Sequence, residues 1–359
     1  MYEKIAKEKF NSLKKNHKKK DIIILAIESS CDETSVAIVK NGRHVLSNII
    51  SSQIEIHKRF GGVVPEVASR NHVLAIENVV SEALSTSGVQ LSQIDAIAVT
   101  YGAGLVGALM VGVNYAKSLA YALNLPLIKV NHIKGHMSAN YISYPDLKPP
   151  FIGLIVSGGH TALVRVDSYT KNTLIGTTTD DAIGEAYDKV SKVLGLGYPG
   201  GPIVDKMAKE GTANIQFIKH DSLAGTFNFS YSGLKTAVIN YLHNKKQAGE
   251  EVNVADVCAS FQTEAVNMLV ERTLKACKKY KFNVVAVAGG VAANSHLRAR
   301  LTDACEQNGI TALFPPTNLC TDNAAMIASE AYYNLISGEG LADMSLTADP
   351  NINLKYSKR

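Results

Sequence analysis

The chain has 359 residues, 46% of them hydrophobic and 19% charged, which is the composition of an ordinary globular protein with a sizeable core. The net charge of +5 is unevenly placed: residues 1–20 contain eight lysines against two glutamates, a net +6, so the remaining residues carry −1. Composition therefore excludes a broadly basic nucleic-acid-binding body. The lysine run Lys14–Lys20, broken by Asn16 and His17, is predicted to be a solvated, mobile extension, with loose attraction to RNA as the alternative.

The five cysteines are scattered, odd in number and without CxxC spacing. This favours a reducing compartment and argues against a thiolate zinc site. The basic N-terminus is not followed by the apolar segment and cleavage pattern of a secretion signal. No uninterrupted apolar stretch of about 18 residues occurs, so no membrane span is expected. We therefore expect a cytoplasmic protein that does not act at a membrane.

The first predicted elements are strands over residues 22–27, 36–39 and 45–50. The turn after the first strand, residues 28–35, is rich in carboxylates, serine and threonine. Acids crowded beside a ligand site predict either a cation between them or an oriented water. Local hydrogen bonding by aspartate and serine within the turn is the alternative.

A strand over residues 94–100 leads through Gly102, Gly104 and Gly107 into a helix over residues 108–123. Such a turn can hold a phosphate at the helix N-terminus, although close helix–strand packing is the favoured interpretation here. The other main helices are predicted at residues 66–85, 182–194, 203–209, 254–280, 296–307 and 323–335.

Residues 127–130 form a predicted strand that runs into a helix carrying His132 and His136. The i, i+4 spacing places both imidazoles on one helical face, where they can bind one metal ion at about 2.0–2.2 Å. The intervening residues lack the glutamate of an HExxH metalloprotease. Histidines without a metal are the alternative. A distant carboxylate would complete a metal site, and Asp322, also the predicted N-cap of the last helix, is the natural candidate.

Residues 151–166 are predicted to form two antiparallel strands joined by a turn at residues 157–159, which contains two glycines. Glycine allows positive φ and close approach of the backbone, so successive N–H groups can point at an anion such as phosphate. A plain hairpin is the alternative. A strand over residues 283–288 ends in Gly289 and Gly290, and Asn294 follows as a candidate ligand or N-cap.

The order of these elements is repeated in the two halves of the chain and resembles the duplicated ATPase fold of actin, Hsp70 and sugar kinases. The resemblance implies the α/β class, with two lobes around a central cleft. It implies a first lobe at 21–130 plus about 318–336 and a second lobe at 131–317; the lysine-rich extension at residues 1–20 and the tail at 337–359 lie outside it.

Eight strings resemble the bacterial TsaD family more specifically, in order, from about residue 22 to about residue 336. They are IESSCDETS (27–35), GGVVPEVASR (61–70), NHIKGH (131–136), SGGHT (157–161), DKVSKVLGLGYPGGP (188–202), FSYSGLKT (229–236), AGGVAANSHLR (288–298) and CTDNAAMIA (320–328).

The resemblance implies a reaction, since members of that family are tRNA N6-adenosine threonylcarbamoyltransferases, formerly described as O-sialoglycoprotein endopeptidases. A threonylcarbamoyl group passes from threonylcarbamoyl-AMP to N6 of the adenosine 3′ of the anticodon in tRNAs reading ANN codons, and AMP leaves. The family implies one divalent metal, iron rather than zinc, and two partners, a TsaB-like paralogue and a TsaE-like ATPase. A small-molecule kinase of the same fold and a metalloprotease are the alternatives.

The resemblance also implies roles for individual residues. The metal ligands would be His132, His136 and Asp322. The substrate-binding positions would be Ile155, Val156, Ser157, Gly158, Gly159, Asp188, Gly201, Asp205 and Asn294. Asp32 and Glu33 match acids needed for activity, and either of them would accept the proton of the attacking amine. Cys31 beside them is predicted to be a small packed residue rather than a nucleophile.

Overall fold

A computed structural model of the chain describes residues 1–218, 223, 225–352 and 354. Among these residues, no helix combines the length and the hydrophobicity needed to cross a bilayer. The chain divides into two compact units. Unit 1 comprises Met1–Pro149, Ser168–Asn172 and Thr321–Leu354, and the described part of unit 2 comprises Pro150–Asp167 and Thr173–Cys320.

The helices and strands follow one another along the chain in a largely alternating order. The helices are α1 (Tyr2–Asn16), α2 (Ile54–His57), α3 (Pro65–Ser87), α4 (Val106–Leu123), α5 (His132–Ser143), α6 (Ile183–Val193), α7 (Gly200–Ala208), α8 (Ser232–Gln247), α9 (Val254–Tyr280), α10 (Ser295–Glu306) and α11 (Ala324–Ser337). The strands are β1 (Ile23–Glu28), β2 (Glu33–Lys40), β3 (His44–Ser52), β4 (Ala96–Gly102), β5 (Leu127–Asn131), β6 (Phe151–Val156), β7 (Thr161–Val166), β8 (Asn172–Thr177), β9 (Val284–Ala288), β10 (Thr311–Leu313) and β11 (Leu341–Ala342).

Unit 1 contains a six-stranded sheet of order β11-β5-β4-β1-β2-β3. The central strand β1 pairs antiparallel with β2 and parallel with β4. Its side chains from Ile24 to Glu28 are buried, because α3, α4 and α11 pack against this sheet. Strands covered in this way have continuous apolar runs rather than alternating ones, as the sequence of β1 shows. The core joins β1 and β2 to apolar side chains such as Val79 of α3 and Val113 of α4.

Unit 2 contains a five-stranded sheet of order β10-β9-β6-β7-β8. Its central strand β6 pairs antiparallel with the next strand, β7, and parallel with β9, which in turn pairs parallel with β10. Unit 1 repeats this pattern: β1 pairs antiparallel with the next strand, β2, and parallel with β4, which in turn pairs parallel with β5. The predicted α/β class and the predicted duplication are therefore confirmed.

The division between the units differs from the predicted one, which began the second lobe at residue 131. Helix α5 belongs to unit 1, because it packs along α11 of the same unit. Ser138 of α5 donates a hydrogen bond of 2.8 Å to the buried carboxylate of Glu330 on α11. Three prolines, at positions 145, 149 and 150, follow α5 in the sequence, and the boundary between the units falls at Pro149–Pro150 rather than at the end of strand β5.

Both chain ends are attached more firmly than predicted. The predicted extension at Lys14–Lys20 is solvated but attached: it begins in the last turn of α1, which buries Tyr2, Ala6 and Phe10, and ends at Lys20, which pairs with Asp95 at 2.7 Å. The tail after α11 is not loose over its described residues, because β11 pairs antiparallel with β5 and the N–H of Asp349 donates to the carbonyl of Tyr101 at 2.7 Å. Residues 353 and 355–359 of the predicted tail lie outside the described residues.

Candidate functional site

The two candidate histidine ligands are placed by the start of α5. The side chain of Asn131, at the end of β5, accepts hydrogen bonds from the N–H groups of Ile133 and Lys134 at 2.9 and 3.2 Å. This cap fixes His132 as the first helical residue, so that His136 lies one turn further along the same face. The two ring centroids are 4.6 Å apart.

Asp322 lies just before α11, and its predicted role as N-cap is wrong by one residue. The side chain of Asn323 caps this helix by accepting from the N–H of Met326 at 3.0 Å. The carboxylate of Asp322 is therefore not occupied with capping. Its Oδ1 lies 3.2 Å from Nε2 of His136 and 3.4 Å from Nε2 of His132. The structure thus brings the three predicted metal ligands together within unit 1, with ligand atoms within 4.8 Å of one another.

These residues fit a divalent cation. His136 is 1% exposed, and neither of its ring nitrogens makes a hydrogen bond to any described residue. The 3.2 Å approach of its Nε2 to Asp322 does not count as a hydrogen bond. Leaving such a buried group unsatisfied costs about 1–3 kcal/mol. Two imidazole nitrogens and one carboxylate oxygen form a donor set that suits non-haem iron or zinc.

Glu28, at the end of β1, is a site residue that the sequence analysis did not select. It is fully buried, and its Oε2 lies 3.1 Å from Nδ1 of His132 and accepts from the hydroxyl of Thr100 at 2.6 Å. Its Oε1 accepts from the N–H of Ser30 at 2.6 Å. The carboxylate makes Nδ1 the protonated nitrogen of His132, so that Nε2 is available on the side of Asp322. A glutamate that ends an otherwise apolar buried strand was the available signal, since a buried charge needs a partner.

The acids of the first hairpin are buried in unit 1. Burial, followed by the charges of Asp322 and Asp32, raises the pKa of Glu33 to about 10. Burial would also raise the pKa of Asp322, but His132 and His136 hold it well below its usual value. A nearby cation would lower the pKa of Glu33, because an opposite charge favours the ionised carboxylate. The crowding of acids here is thus a second feature that fits a cation.

Cys31 lies next to these acids along the chain. Burial, together with the charges of Asp32 and Asp322, raises the pKa of its thiol well above the usual value. Reactive cysteines need the opposite, a lowered pKa in an electropositive and accessible environment. The interpretation of Cys31 as a small packed residue is therefore favoured over a covalent role.

In unit 2, β6 buries Ile155 and Val156 and ends in the predicted turn. Of the two properties that glycine allows there, positive φ is not used, because neither Gly158 nor Gly159 is among the residues with that conformation. What distinguishes them is open space: a Cβ added to either would meet no atom within 4 Å. The described residues also supply no acceptor for their N–H groups, whereas the N–H of Ser157 donates to the carbonyl of His160 at 2.8 Å. Two adjacent free amides next to open space suit an anion.

The second glycine turn of unit 2 packs against the end of β6. Gly289 has φ of +94°, and a Cβ there would lie 2.4 Å from the carbonyl oxygen of Val156. Only glycine allows this approach without strain. Asn294 follows a short 3₁₀ turn and caps α10 by accepting from the N–H of Leu297 at 2.8 Å, while its Nδ2 donates to Gln262 at 2.8 Å.

Asp188, Gly201 and Asp205 connect the helices of the same region. Asp188 of α6 accepts from the N–H of Gly200, at the start of α7, at 2.6 Å. Asp205 of α7 accepts from the N–H and the hydroxyl of Ser295 at 3.1 and 3.0 Å. A Cβ on Gly201 would meet no atom within 4 Å. The predicted substrate-binding residues are thus joined into one region of unit 2, and the predicted metal ligands and acids belong to unit 1.

Residues 44–329 match the model of the TsaD family, described as tRNA N6-adenosine threonylcarbamoyltransferase. The chain belongs to the TsaD family. Its member from Clostridioides difficile strain 630 is 58% identical over 335 residues, which is 93% of this chain and 99% of that protein. A member from Clostridium perfringens is 59% identical over 333 residues, 92% of this chain and 98% of that protein. Both carry the same description as the family model.

Solved structures outside the TsaD family share the fold. HypF of T. kodakarensis superposes with a TM-score of 0.61 at 13% identity, over 89% of this chain and 48% of that chain. The activator of 2-hydroxyisocaproyl-CoA dehydratase from Clostridium difficile, solved with bound ADPNP, gives a TM-score of 0.50 at 14% identity, over 89% of this chain and 97% of that chain. At these identities the likeness concerns the fold alone.

Proposed function

We propose that this chain transfers a threonylcarbamoyl group from threonylcarbamoyl-AMP to N6 of the adenosine 3′ of the anticodon in tRNAs that read ANN codons, releasing AMP. The observation that carries the proposal is membership of the TsaD family, with relatives of that description 58–59% identical over more than nine-tenths of the chain. The kinase and metalloprotease alternatives have no comparable support, and the protease glutamate is missing between His132 and His136.

The donor in this reaction is a mixed carbamic–phosphoric anhydride. The exocyclic amine of adenosine attacks the carbamoyl carbon, a C–N bond forms, the C–O bond to AMP breaks, and the amine loses a proton. The amine is a weak nucleophile, so positioning contributes much of the rate, at effective molarities of about 10⁵–10⁸ M in favourable cases. The free N–H groups of Gly158 and Gly159 would bind the phosphate of the leaving AMP and stabilise the charge that it gains.

The other predicted substrate-binding residues of unit 2 would hold the nucleoside part of the donor. Carboxylates only accept hydrogen bonds when ionised, so Asp188 and Asp205 would bind its hydroxyl groups. Both are already oriented by backbone N–H groups, which reduces the ordering needed on binding. Gly201 leaves room beside them, and Asn294 shapes the entry to α10.

His132, His136 and Asp322 would hold one divalent cation, with iron favoured over zinc. When bound, the cation supplies Lewis acidity that stabilises negative charge on the reacting group. Glu28 would hold His132 in the tautomer whose Nε2 is free. Asp32 or Glu33 would accept the proton of the amine, and for Glu33 this requires the ionised form.

The proposal includes partners and a location. The chain without its first 20 residues carries a net charge of −1, which provides little attraction for a tRNA. A TsaB-like paralogue and a TsaE-like ATPase would therefore supply part of the tRNA contact. A tRNA substrate and the absence of a membrane-crossing helix in the described residues fit action in the cytoplasm.

Transfer of labelled threonine from preformed threonylcarbamoyl-AMP to unmodified tRNA reading ANN codons tests the proposal. Wild type is compared with His136→Ala and with His243→Ala, an exposed histidine of α8, with and without the two partners. We expect label on tRNA for wild type and His243→Ala, and its loss in His136→Ala. Absence of label with both partners, metal-loaded protein and competent tRNA would overturn the proposal, and phosphorylation of small molecules would be tested next.

A further inference from the structure

Helix α1 is docked on unit 1 by one face. Tyr2, Ala6 and Phe10, spaced four residues apart, are each no more than 6% exposed. The hydroxyl of Tyr2 donates to the carbonyl of Leu125 at 2.8 Å, and its ring lies 5.5 Å from that of Tyr121. The four-residue spacing places these side chains on one stripe of the helix, so the rest of its circumference faces away from the protein.

The remainder of α1 and the residues that follow it are strongly basic. All eight lysines of residues 1–20 are exposed. Lys20 forms an ion pair with Asp95 at 2.7 Å, and no carboxylate pairs with the other seven in the part of the chain that the structure describes. Glu3 and Glu8 are the only acids in these 20 residues, which leaves a local charge of +6.

We propose that the basic N-terminal surface, defined as Lys4, Lys7 and Lys15 of α1 together with Lys18 just after it, binds the phosphate backbone of the tRNA substrate. This inference rests on the proposed function, which makes a polyanion the substrate. The rest of the chain carries −1, so residues 1–20 concentrate positive charge of the kind that binds phosphate. Because α1 is docked, its backbone is held in place on unit 1, and binding has to order lysine side chains but not a mobile tail.

An anionic membrane is the other polyanionic surface that attracts lysines. A helix that lies on a membrane inserts an apolar face below the headgroups. The apolar stripe of α1 is already buried against unit 1 through Tyr2, Ala6 and Phe10. The geometry therefore favours RNA.

The variant K4Q/K7Q/K15Q/K18Q tests the surface without touching the docking residues. Its matched control, K148Q/K171Q/K246Q/K278Q, removes the same charge from exposed positions elsewhere. The Kd for unmodified tRNA is measured from about 50 to about 200 mM salt, and circular dichroism verifies the helix content. If all four lysines lie on phosphates, the slope of log K against log salt falls by about 3, and Kd at intermediate salt rises roughly 10-fold, in the test variant alone.

The transfer assay on the same preparations separates this inference from the proposed function. We expect a raised KM for tRNA with unchanged kcat in the test variant. An unchanged salt slope, or an equal change in the control, overturns the inference while transfer by wild type still supports the function. The inference is also overturned, in favour of a membrane, by a different pair of results. Wild type would bind vesicles rich in anionic lipid and the test variant would not, while the two bind tRNA with equal affinity. A slope that falls in the test variant alone, with no transfer by wild type, supports the RNA surface and contradicts the function.

Discussion

At the scale of single residues, the candidate metal centre depends on the two nitrogens of His132 having different neighbours. Nδ1 lies 3.1 Å from the buried carboxylate of Glu28, and Nε2 lies 3.4 Å from Asp322. A carboxylate behind a ligating histidine sets the ring orientation and increases the basicity of the ligand. Glu28 therefore belongs to the site as a positioning residue.

We expect Glu28→Gln to weaken metal binding by about 10–100-fold. The carboxylate of Glu28 accepts hydrogen bonds from Ser30, Thr100 and His132 on its two oxygens. The amide of glutamine has only one acceptor oxygen, so it cannot accept all three. Metal affinity is measured by competition with a chelator, and Glu82→Gln, at an exposed position on α3, serves as control. Thermal unfolding in excess chelator reports the purely structural effect. Unchanged affinity in a folded variant would show that Glu28 does not position His132.

The sequence predicted some of these residues and not others, for physical reasons. His132 and His136 share a helical face at any i, i+4 spacing, so their proximity follows from helix geometry alone. Asp322 lies far away along the chain, and nothing local connects it to them, so it was only a candidate third ligand until the resemblance of whole strings assigned it. Glu28 acquires its partner from a helix about 100 residues later, through the pairing of β1, β4 and β5.

At the scale of elements, the packing of α5 on α11 positions the histidines. Besides Ser138 and Glu330, this interface is supported by Arg43, whose guanidinium donates to the carbonyls of Tyr141 and Tyr144 at 2.8 and 3.0 Å. These are among the last carbonyls of α5 and the residue after it, which have no partner within the helix. A cation at this end also interacts favourably with the helix dipole.

Glu330 makes the stability of this interface depend on pH. Burial raises its pKa from 4.5 to about 7, with Lys134 and Ser138 offsetting part of the rise. The unfolded chain ionises this carboxyl above about 4.5, whereas the folded chain keeps it protonated to about 7. Its contribution to the free energy of unfolding is thus complete below the lower value and is lost as the pH rises to the upper one.

We therefore expect Glu330→Gln to gain stability relative to wild type between about pH 5 and about pH 7.5, by up to about 3 kcal/mol, because glutamine does not ionise. Urea unfolding at both pH values, in excess chelator, measures the difference. Glu82→Gln should follow wild type. A constant difference between Glu330→Gln and wild type across this range would contradict the raised pKa.

Elements at the chain ends were predicted least well. The lysines of α1 dominate its composition and conceal the four-residue repeat of Tyr2, Ala6 and Phe10, which is the only local sign that the helix is docked. The partner surface near Leu125 comes from a segment more than 100 residues away. The two-residue strand β11 is equally hidden, because its pairing depends on the exposed edge of β5 rather than on its own side chains.

At the scale of the whole molecule, the two sheets repeat one strand order, and this was predictable because the order of elements along the chain is itself repeated. What the repeat does not predict is the difference in chemistry. The candidate metal ligands are all in unit 1, and the free glycine amides are in unit 2. Duplication therefore accounts for the framework, and single residues that differ between the two units account for the sites.

Metal binding should stabilise the folded chain as a whole. A ligand that binds only the folded state adds about 2.7 kcal/mol at 100 times its Kd. We expect addition of Fe²⁺ or Zn²⁺ to raise the Tm of wild type and of Asp146→Ala, an exposed position. The Tm of Asp322→Ala should not respond, since one of three ligands is gone. Differential scanning calorimetry under anaerobic conditions measures this, and an equal response of Asp322→Ala would place the cation elsewhere.

The separate roles of the neighbours Asp322 and Asn323 have an evolutionary consequence. One residue caps α11 and its neighbour carries the candidate ligand. Because the cap and the candidate ligand are different side chains, the carboxylate of Asp322 can be lost while α11 keeps its cap. A duplicated copy of such a gene could lose the carboxylate by a single substitution and still encode a stable protein. Inactive descendants that survive as binding partners are therefore an easily reached outcome for this architecture.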